Sequence, residues 1–232
     1  MLHLVKLELK KGSLRGYVYG ALIAYAAIAG LLMLMYFIKD DPSAAPAFRT
    51  QAEMLSIVNT IVCATFIVYS SALLSKLVIS EFKDHTMTLL FTYPISRKQL
   101  IFAKLSIVFV WCFVAIVLGN VLLDALLLGV NHFVGDVAPT TLTTADLLRQ
   151  FGYVTLQAVG AAGMSLLPLV IGLPRRSVSA TIVSSIFIVS IVSSNNFGFS
   201  LSSIIAIPLS LAAIGIIGAY LSFRNIDRAD VA

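Results

Sequence analysis

Six long apolar stretches, separated by polar segments, constrain the fold of this 232-residue chain more than any other feature. Each has about 20 residues or more, enough for an α-helix to cross the roughly 30 Å hydrocarbon core of a bilayer. Only 12% of the residues are charged, about half the share in soluble domains, so a soluble fold could not cover so much apolar surface. We therefore predict an all-α polytopic membrane protein, a single transmembrane domain over residues 1–232. The predicted spans are residues 16–38, 54–78, 101–130, 151–173, 178–197 and 201–223.

Four of the predicted spans carry signs of irregular geometry. The third is too long for one straight crossing, so we expect its outer end to tilt or break. Only residues 198–200 join the fifth and sixth spans, which leaves a re-entrant pair open as an alternative. Pro168 and Pro208 predict kinks in the fourth and sixth spans.

The distribution of basic residues predicts the orientation of the chain in the membrane. Thirteen of the 16 Lys and Arg residues fall on one side of the predicted spans, and only Lys39, Arg49 and Arg149 fall on the other. Because short loops rich in Lys and Arg stay in the cytoplasm, we place both termini there and the protein in the plasma membrane. Residues 1–15 are predicted to form an amphipathic helix in the inner interface. The apolar run after them is too long for a signal peptide, whose core has roughly 7–15 residues.

One cytoplasmic segment, residues 79–100 between the second and third spans, has more pattern than an ordinary loop. Its first half carries Phe82, Leu89 and Leu90 among charged residues. This pattern predicts a short amphipathic helix that suits a membrane face or a groove in a partner protein.

The second half of the segment predicts an elbow followed by a new helix. Pro94 biases Tyr93 away from helical geometry, so the chain should bend there. Ser96 and Gln99 have the spacing of a capping box, which would start a helix that runs into the third span. A helix, elbow and helix at the inner membrane surface would transmit a movement on the cytoplasmic side to the spans.

The segment resembles the coupling-helix signature of type-2 ABC exporter permeases. Members of that family carry an acidic residue, a Gly-Thr, a leucine pair, Pro-Ile-Ser-Arg and a following Ala-Lys at comparable spacing. His85 stands where the family commonly has glycine. The six predicted spans and cytoplasmic termini are also similar to the family plan. The matching residues are Glu81, Thr86, Leu89, Leu90, Tyr93, Pro94, Ile95, Ser96, Arg97, Leu100, Ala103 and Lys104.

The resemblance implies a permease that pairs with a second permease chain, as a homodimer or a heterodimer. Each half would seat its coupling helix in a cleft of a cytoplasmic ABC ATPase, which binds ATP and Mg²⁺ and drives the spans between inward- and outward-open states. Glu81 and Arg97 would orient the elbow. The residues that the resemblance assigns to ATPase coupling are Glu81, Phe82, Thr86, Leu89, Leu90, Tyr93, Pro94, Ser96 and Arg97.

The chain offers little chemistry of its own. It has no Gly-x-x-x-x-Gly-Lys-[Ser/Thr] phosphate loop, so its energy must come from a partner or an ion gradient. Its three histidines are scattered over both sides of the predicted spans, and Cys63 and Cys112 fall within apolar runs as small hydrophobic residues. We predict no catalytic, cofactor-binding or metal-binding residues and no enzyme activity. The basic charges lie between apolar runs, so we expect a lipid surface and no nucleic acid as their counterpart.

Four polar residues inside the predicted spans are candidates for a substrate path: Asn59, Asn120, Asp124 and Gln157. All fall in the outer parts of their helices, where they could line a vestibule for a polar substrate. The alternative is hydrogen bonding between helices or solvation at the interface, worth about 1 kcal/mol for each residue.

Two further patterns concern the inner ends of the spans. Lys76 and Lys104 are predicted to extend their ammonium groups to the interface. The Gly16-x-x-x-Gly20 pattern permits close helix approach, either in a dimer contact or within one chain.

Together these patterns predict the membrane-spanning subunit of an ABC exporter. Its substrate class stays open among peptides, drugs, lipid-linked molecules and ions, and the short external loops favour an amphipathic peptide taken from the inner leaflet or the cytoplasm. The alternatives are a non-transporting membrane adaptor or immunity subunit and an intramembrane hydrolase. A gradient-driven transporter should show inverted repeats, and we find no self-similarity between the two halves.

Overall fold

The structure is a computed structural model that describes residues 14–37, 50–79, 97–134, 144–175, 177–193, 195–196, 199–200 and 206–224. Helices make up almost all of this part of the chain. They are α1 Leu14–Phe37, α2 Gln51–Leu74, a π-helix Ser75–Ile79, α3 Arg97–Val134, α4 Thr144–Met164, α5 Leu167–Arg175, α6 Val178–Ser193 and α7 Ala206–Arg224. The predicted interfacial helix over residues 1–15 lies almost wholly outside the described residues.

Within these ranges, four helices are long and apolar enough to cross a membrane, and two shorter apolar helices follow them. The four are Gly16–Phe37, Gln51–Ile79, Ile101–Val134 and Thr144–Leu173, and the shorter two are Val178–Ser193 and Ala206–Ser222. Their order and apolar length are those of a multi-pass helical membrane protein.

The third long helix is continuous, so the break that its length predicted is absent. α3 runs for 38 residues, about 57 Å at 1.5 Å per residue, which exceeds the roughly 30 Å hydrocarbon core. No proline interrupts residues 97–134, so no residue removes a backbone donor from the helical hydrogen bonds. The predicted tilt stays a prediction.

The two prolines behave differently. The chain turns at residues 165–166 between α4 and α5, immediately before Pro168, as expected for a break in the fourth span. Pro208 is the third residue of α7, so the predicted kink in the sixth span is wrong. In the first turn of a helix the backbone N–H has no intrahelical acceptor, and proline lacks that N–H at no cost.

The connection between the last two helices is longer than the predicted three-residue turn. α6 ends at Ser193 and Asn195–Asn196 form a strand, so the predicted fifth span 178–197 extends past its helix. Residues 201–205, at the start of the predicted sixth span, lie outside the described residues. A short antiparallel hairpin lies between α6 and α7, with Asn195 opposite Ser200. The asparagines favour turns over helix, which explains the early end of α6.

Successive helices alternate in direction, as their contacts show. Tyr69 near the end of α2 donates a hydrogen bond to the Tyr17 carbonyl near the start of α1, at 2.8 Å. Tyr36 near the end of α1 donates to Asn131 near the end of α3, at 3.0 Å. α1 and α3 therefore run in the same direction, and α2 runs opposite to both.

The later helices continue this alternation. α4 begins beside the last third of α3, where Leu147 and Asp124 line one cavity, and α5 follows α4 onward. α6 runs in the direction opposite to α5, since Thr181 near the start of α6 contacts Gly172 near the end of α5. α7 runs in the same direction as α4, and the ring of Tyr220 near its end lies 5.9 Å, between ring centroids, from Phe102 near the start of α3.

The described part of the bundle therefore has two ends. The Lys104 end holds the starts of α1 and α3 and the final turns of α2 and α7. The Asp124 end holds the starts of α2 and α4 and the later part of α3. Lys104 and Asp124 are 20 residues apart on α3. This separation corresponds to about 30 Å of helix, which is the thickness of a hydrocarbon core.

Packing is closest between α4 and α7. A Cβ added at Gly163 would lie 2.7 Å from Ala212 Cα, and one at Gly160 would lie 2.8 Å from Pro208 Cβ. Such contacts between small residues let helix backbones approach closely in a membrane. Gly20 serves internal packing too, since a Cβ there would lie 3.1 Å from Tyr69 Cε2. α1 is nonetheless peripheral, with 17% of its apolar window buried against 67% for Thr144–Leu173.

Candidate functional site

Most of the predicted coupling segment lies outside the described residues. This holds for Glu81, Phe82, Thr86, Leu89, Leu90, Tyr93, Pro94 and Ser96. Arg97 is described in its backbone only, as the first residue of α3. A helix therefore begins close to the predicted position, and the predicted cap at Ser96 lies outside the described residues. The roles assigned to these residues stay predictions.

The two chain segments that flank residues 80–96 are described, and they are joined to each other. On the entering side, α2 continues into the π-helix Ser75–Ile79. On the leaving side, Lys104 lies two turns into α3, and its Nζ donates a hydrogen bond to the Leu77 carbonyl oxygen at 3.0 Å. The base of the coupling segment is therefore closed by a bond from a charged donor, which is stronger than a bond between neutral groups.

Lys104 is fully buried, with 0% of its surface exposed, so its predicted extension to the interface is wrong. The last carbonyl groups of a helix have no intrahelical donor. Here the Leu77 carbonyl, in the π-helix that follows α2, accepts the hydrogen bond from the Lys104 ammonium group. Lys76, on the π-helix itself, is exposed as predicted. The two lysines thus differ because only one of them faces a neighbouring helix end.

The π-helix also contacts the next pair of helices. A Cβ built on Gly172 of α5 would lie 2.9 Å from Ile79 Cδ1 and would collide with Thr181 of α6. Leu74, Val78 and residues of α3 form a buried apolar cluster with Leu169 of α5 and Ala219 of α7. Movement at the base of the coupling segment would therefore reach α3, α5, α6 and α7 at this end.

The four polar residues predicted inside the spans divide into two pairs at two cavities. Asn59 and Gln157 line a cavity of about 40 Å³ between α2, α4 and α6, with Pro208 of α7 at its wall. Gln157 Nε2 donates to Tyr153 Oη at 2.8 Å, and Cys63 Sγ donates to Asn59 Oδ1 at 3.5 Å. Each bond lies within one helix, and the space suits a few water molecules, so the role of this pair in a substrate path stays a prediction.

Asn120 and Asp124 line a second, larger cavity of about 220 Å³ between α3, α4 and Leu55 of α2. Asn120 Nδ2 donates to the Ile116 carbonyl oxygen at 2.9 Å. The Oδ1 atoms of both residues are buried without a hydrogen-bond partner in the described part of the chain. This cavity lies at the Asp124 end, opposite the base of the coupling segment.

Two features of the sites had little signal in the sequence. The π-helix falls inside a continuous apolar run, where residues Ser75–Ile79 look like any other part of a span. Tyr153 was detectable in principle, because it precedes Gln157 by one helical turn. Among the described residues, no group of three or more His, Cys, Asp or Glu side chains could hold a metal ion.

Comparisons with known proteins assign the family. The family model described as ABC-2 family transporter protein matches residues 4–193, which include the coupling segment. The chain is also 41% identical over 232 residues to the uncharacterized protein YcbO of Bacillus subtilis (strain 168), covering 99% of this chain and 100% of that protein. No solved structure matches the chain. With the matched region covering most of its length, this multi-pass membrane protein belongs to the ABC-2 transporter family.

Proposed function

We propose that the chain is the permease subunit of an ATP-driven ABC exporter, with six crossings and both termini in the cytoplasm. A separate cytoplasmic ABC ATPase would bind ATP and Mg²⁺, and residues 79–100 would couple hydrolysis to movement of the helices. Family membership supports the permease role. The alternating helix directions, with the described ends of α1 and α7 at the Lys104 end, support six crossings.

The bond between Lys104 and the Leu77 carbonyl is the observation that carries this proposal. Because it joins the two segments that flank residues 80–96, a force on those residues would move α2 and α3 together. The contact of Ile79 with Gly172 would pass the same force to α5 and α6. A loop without function at this place would not need a fully buried cation at its base.

The charge distribution supports the direction of this coupling. Thirteen of 16 Lys and Arg residues fall on the side of the Lys104 end, so this end would face the cytoplasm and its ATPase. The Asp124 end and its larger cavity would then face outward. A substrate such as an amphipathic peptide, drug or lipid would move from the first end towards the second, between this chain and a second copy or a paralogue.

The test is ATP turnover in a reconstituted complex. The chain would be purified with a cytoplasmic ABC ATPase encoded beside it and placed in liposomes, and turnover would be compared for wild type, Glu81→Ala and Arg97→Ala. We expect both variants to lose most of the stimulation that the permease gives the ATPase, by about tenfold, because a misplaced contact weakens coupling of about 1–3 kcal/mol.

Arg149→Ala is the matched control, since Arg149 is an exposed cation at the other end of the bundle. A chain that neither binds the ATPase nor changes its turnover would exclude the exporter. Binding without substrate-dependent turnover would instead identify an adaptor or immunity subunit. Activity that persists without any ATPase would identify an intramembrane hydrolase.

A further inference from the structure

The cavity at the Asp124 end combines apolar walls with the side-chain oxygens of Asn120 and Asp124 on α3 and the amide of Gln150 on α4. It has a volume of about 220 Å³ and lies between α3 and α4. Asn120 and Asp124 are one helical turn apart, so both side chains lie on the same face of α3. The apolar part of the wall consists of Leu55, Val121, Ala125, Leu128, Leu147, Phe151 and Val154.

The Oδ1 atoms of Asn120 and Asp124 are acceptors that the described residues leave unused. Asn120 is 1% exposed, and its Oδ1 has no hydrogen-bond partner in the described ranges. The orientation of its amide is fixed because Nδ2 donates to the Ile116 carbonyl oxygen. Asp124 Oδ1 is likewise buried without a partner in that part of the chain. An unused buried acceptor is costly, and an unused buried carboxylate is more costly still.

An occupant that satisfies these atoms must donate hydrogen bonds, and a positively charged donor would form the stronger bond to the Asp124 carboxylate. Among the residues that line the cavity, none is a cation, and the neighbouring Arg149 is exposed and absent from the lining. The side-chain oxygens of Asn120, Asp124 and Gln150 are too few for Ca²⁺ or Mg²⁺, which take about six oxygen ligands. An ammonium group with an apolar chain matches both the oxygens and the walls.

We propose that this cavity binds an alkylammonium group, with Asp124 as the charged acceptor and Asn120 as the second acceptor. Asp124 would accept a charge-assisted hydrogen bond from the ammonium N–H, and the apolar chain would lie against the leucines of the wall. That the bound cation is the exported substrate rests on the proposed exporter function. Binding itself needs no ATPase.

The test is binding of dodecylammonium to the full chain in nanodiscs made only of phosphatidylcholine and phosphatidylglycerol. Dodecanol serves as the uncharged comparison ligand. We expect Asp124→Asn to weaken dodecylammonium binding by at least about tenfold, and Asn120→Leu by about threefold to tenfold, with dodecanol binding unchanged. Asp146→Asn is the matched control, because Asp146 is an exposed acid of α4 outside the cavity lining.

Equal binding of dodecylammonium by wild type and Asp124→Asn would overturn the proposal. If that variant does not fold, wild type that binds dodecanol as tightly as dodecylammonium would overturn it as well. Competition from added phosphatidylethanolamine would identify a lipid amine as the natural source of the ammonium group. Stimulation of ATP turnover by dodecylammonium would connect the site to export, while binding without stimulation would retain the site and reject the substrate assignment.

Discussion

At the scale of single residues, a buried lysine shows how the helices at one end of the bundle are held. An ammonium group removed from water needs hydrogen-bond acceptors, and Lys104 has one in the Leu77 carbonyl at 3.0 Å. A charge buried in this way is weak support for stability, because the cost of its desolvation offsets the bond. The hydrogen bond instead contributes specificity, because it fixes which turn of α3 faces the π-helix at the end of α2.

We expect Lys104→Met to reduce coupling more than stability. Methionine keeps the length and the apolar stem of lysine but removes the bond that joins the two flanks of the coupling segment. The free energy of unfolding, measured by thermal unfolding in detergent, should change by about 1–3 kcal/mol or less. ATPase stimulation in the reconstituted complex should fall by about tenfold.

Lys76→Met is the matched control for this variant, because Lys76 is exposed one residue before Leu77. It should leave both stability and stimulation unchanged. Lys104→Arg should restore part of the stimulation, since the guanidinium keeps the charge and the donors. Full stimulation in Lys104→Met would contradict the coupling role of this bond.

The burial of Lys104 also marks the limit of prediction at the residue scale. Its position near a span end predicted an exposed ammonium group, because sequence shows distance along a helix but no partner on a neighbouring one. The four polar span residues were recognised as candidates, yet their division into two cavities depends on which helices pack together. Asn59 of α2 and Gln157 of α4 line the same cavity, and nothing in either local sequence encodes that proximity.

At the scale of elements, the contact between α4 and α7 depends on the absence of side chains. We expect Gly163→Leu to lower the free energy of unfolding by about 1–3 kcal/mol, because the added side chain would force α7 away from α4. A Cβ at this position would already lie 2.7 Å from Ala212 Cα. Thermal unfolding of the purified variant in nanodiscs measures the effect.

Gly129→Leu is the matched control for that variant. A Cβ built on Gly129 of α3 meets nothing within 4 Å, and leucine favours the helix over glycine. This variant should unfold at the wild-type temperature or above it. If both glycine variants lost the same stability, the loss would come from the helix backbone and not from close packing of α4 against α7.

The elements themselves were largely predictable from the sequence. Long apolar runs bounded by polar segments have few folds available in a membrane, so the four long helices follow from hydropathy alone. The end of the fifth span was predicted too far along the chain, because Phe197 resumes the apolar pattern after Asn195 and Asn196, which form a strand. The π-helix escaped prediction because it lies in a continuous apolar run, where the shift in helical phase caused by an extra residue in a turn is not visible.

At the scale of the whole molecule, the helix directions place the base of the coupling segment and the larger cavity at opposite ends of the bundle. The Lys104 end gathers the base of the coupling segment, the turn between α5 and α6, and the last turns of α7. The Asp124 end holds the larger cavity, about 30 Å away along α3. Continuous α3 connects them, so a rigid movement of this helix would link a push at one end to a change in cavity shape at the other.

This axis predicts which exposed residues meet each side of the membrane. In a chain with Cys63 and Cys112 replaced by alanine, Arg149→Cys should react with a membrane-impermeant maleimide in intact cells, because Arg149 is exposed at the Asp124 end. Lys76→Cys, exposed at the Lys104 end, should react only after the cells are permeabilised. The cysteine-free parent gives the background labelling. The reverse pattern would place the coupling segment outside the cell, where no cytoplasmic ATPase could reach it.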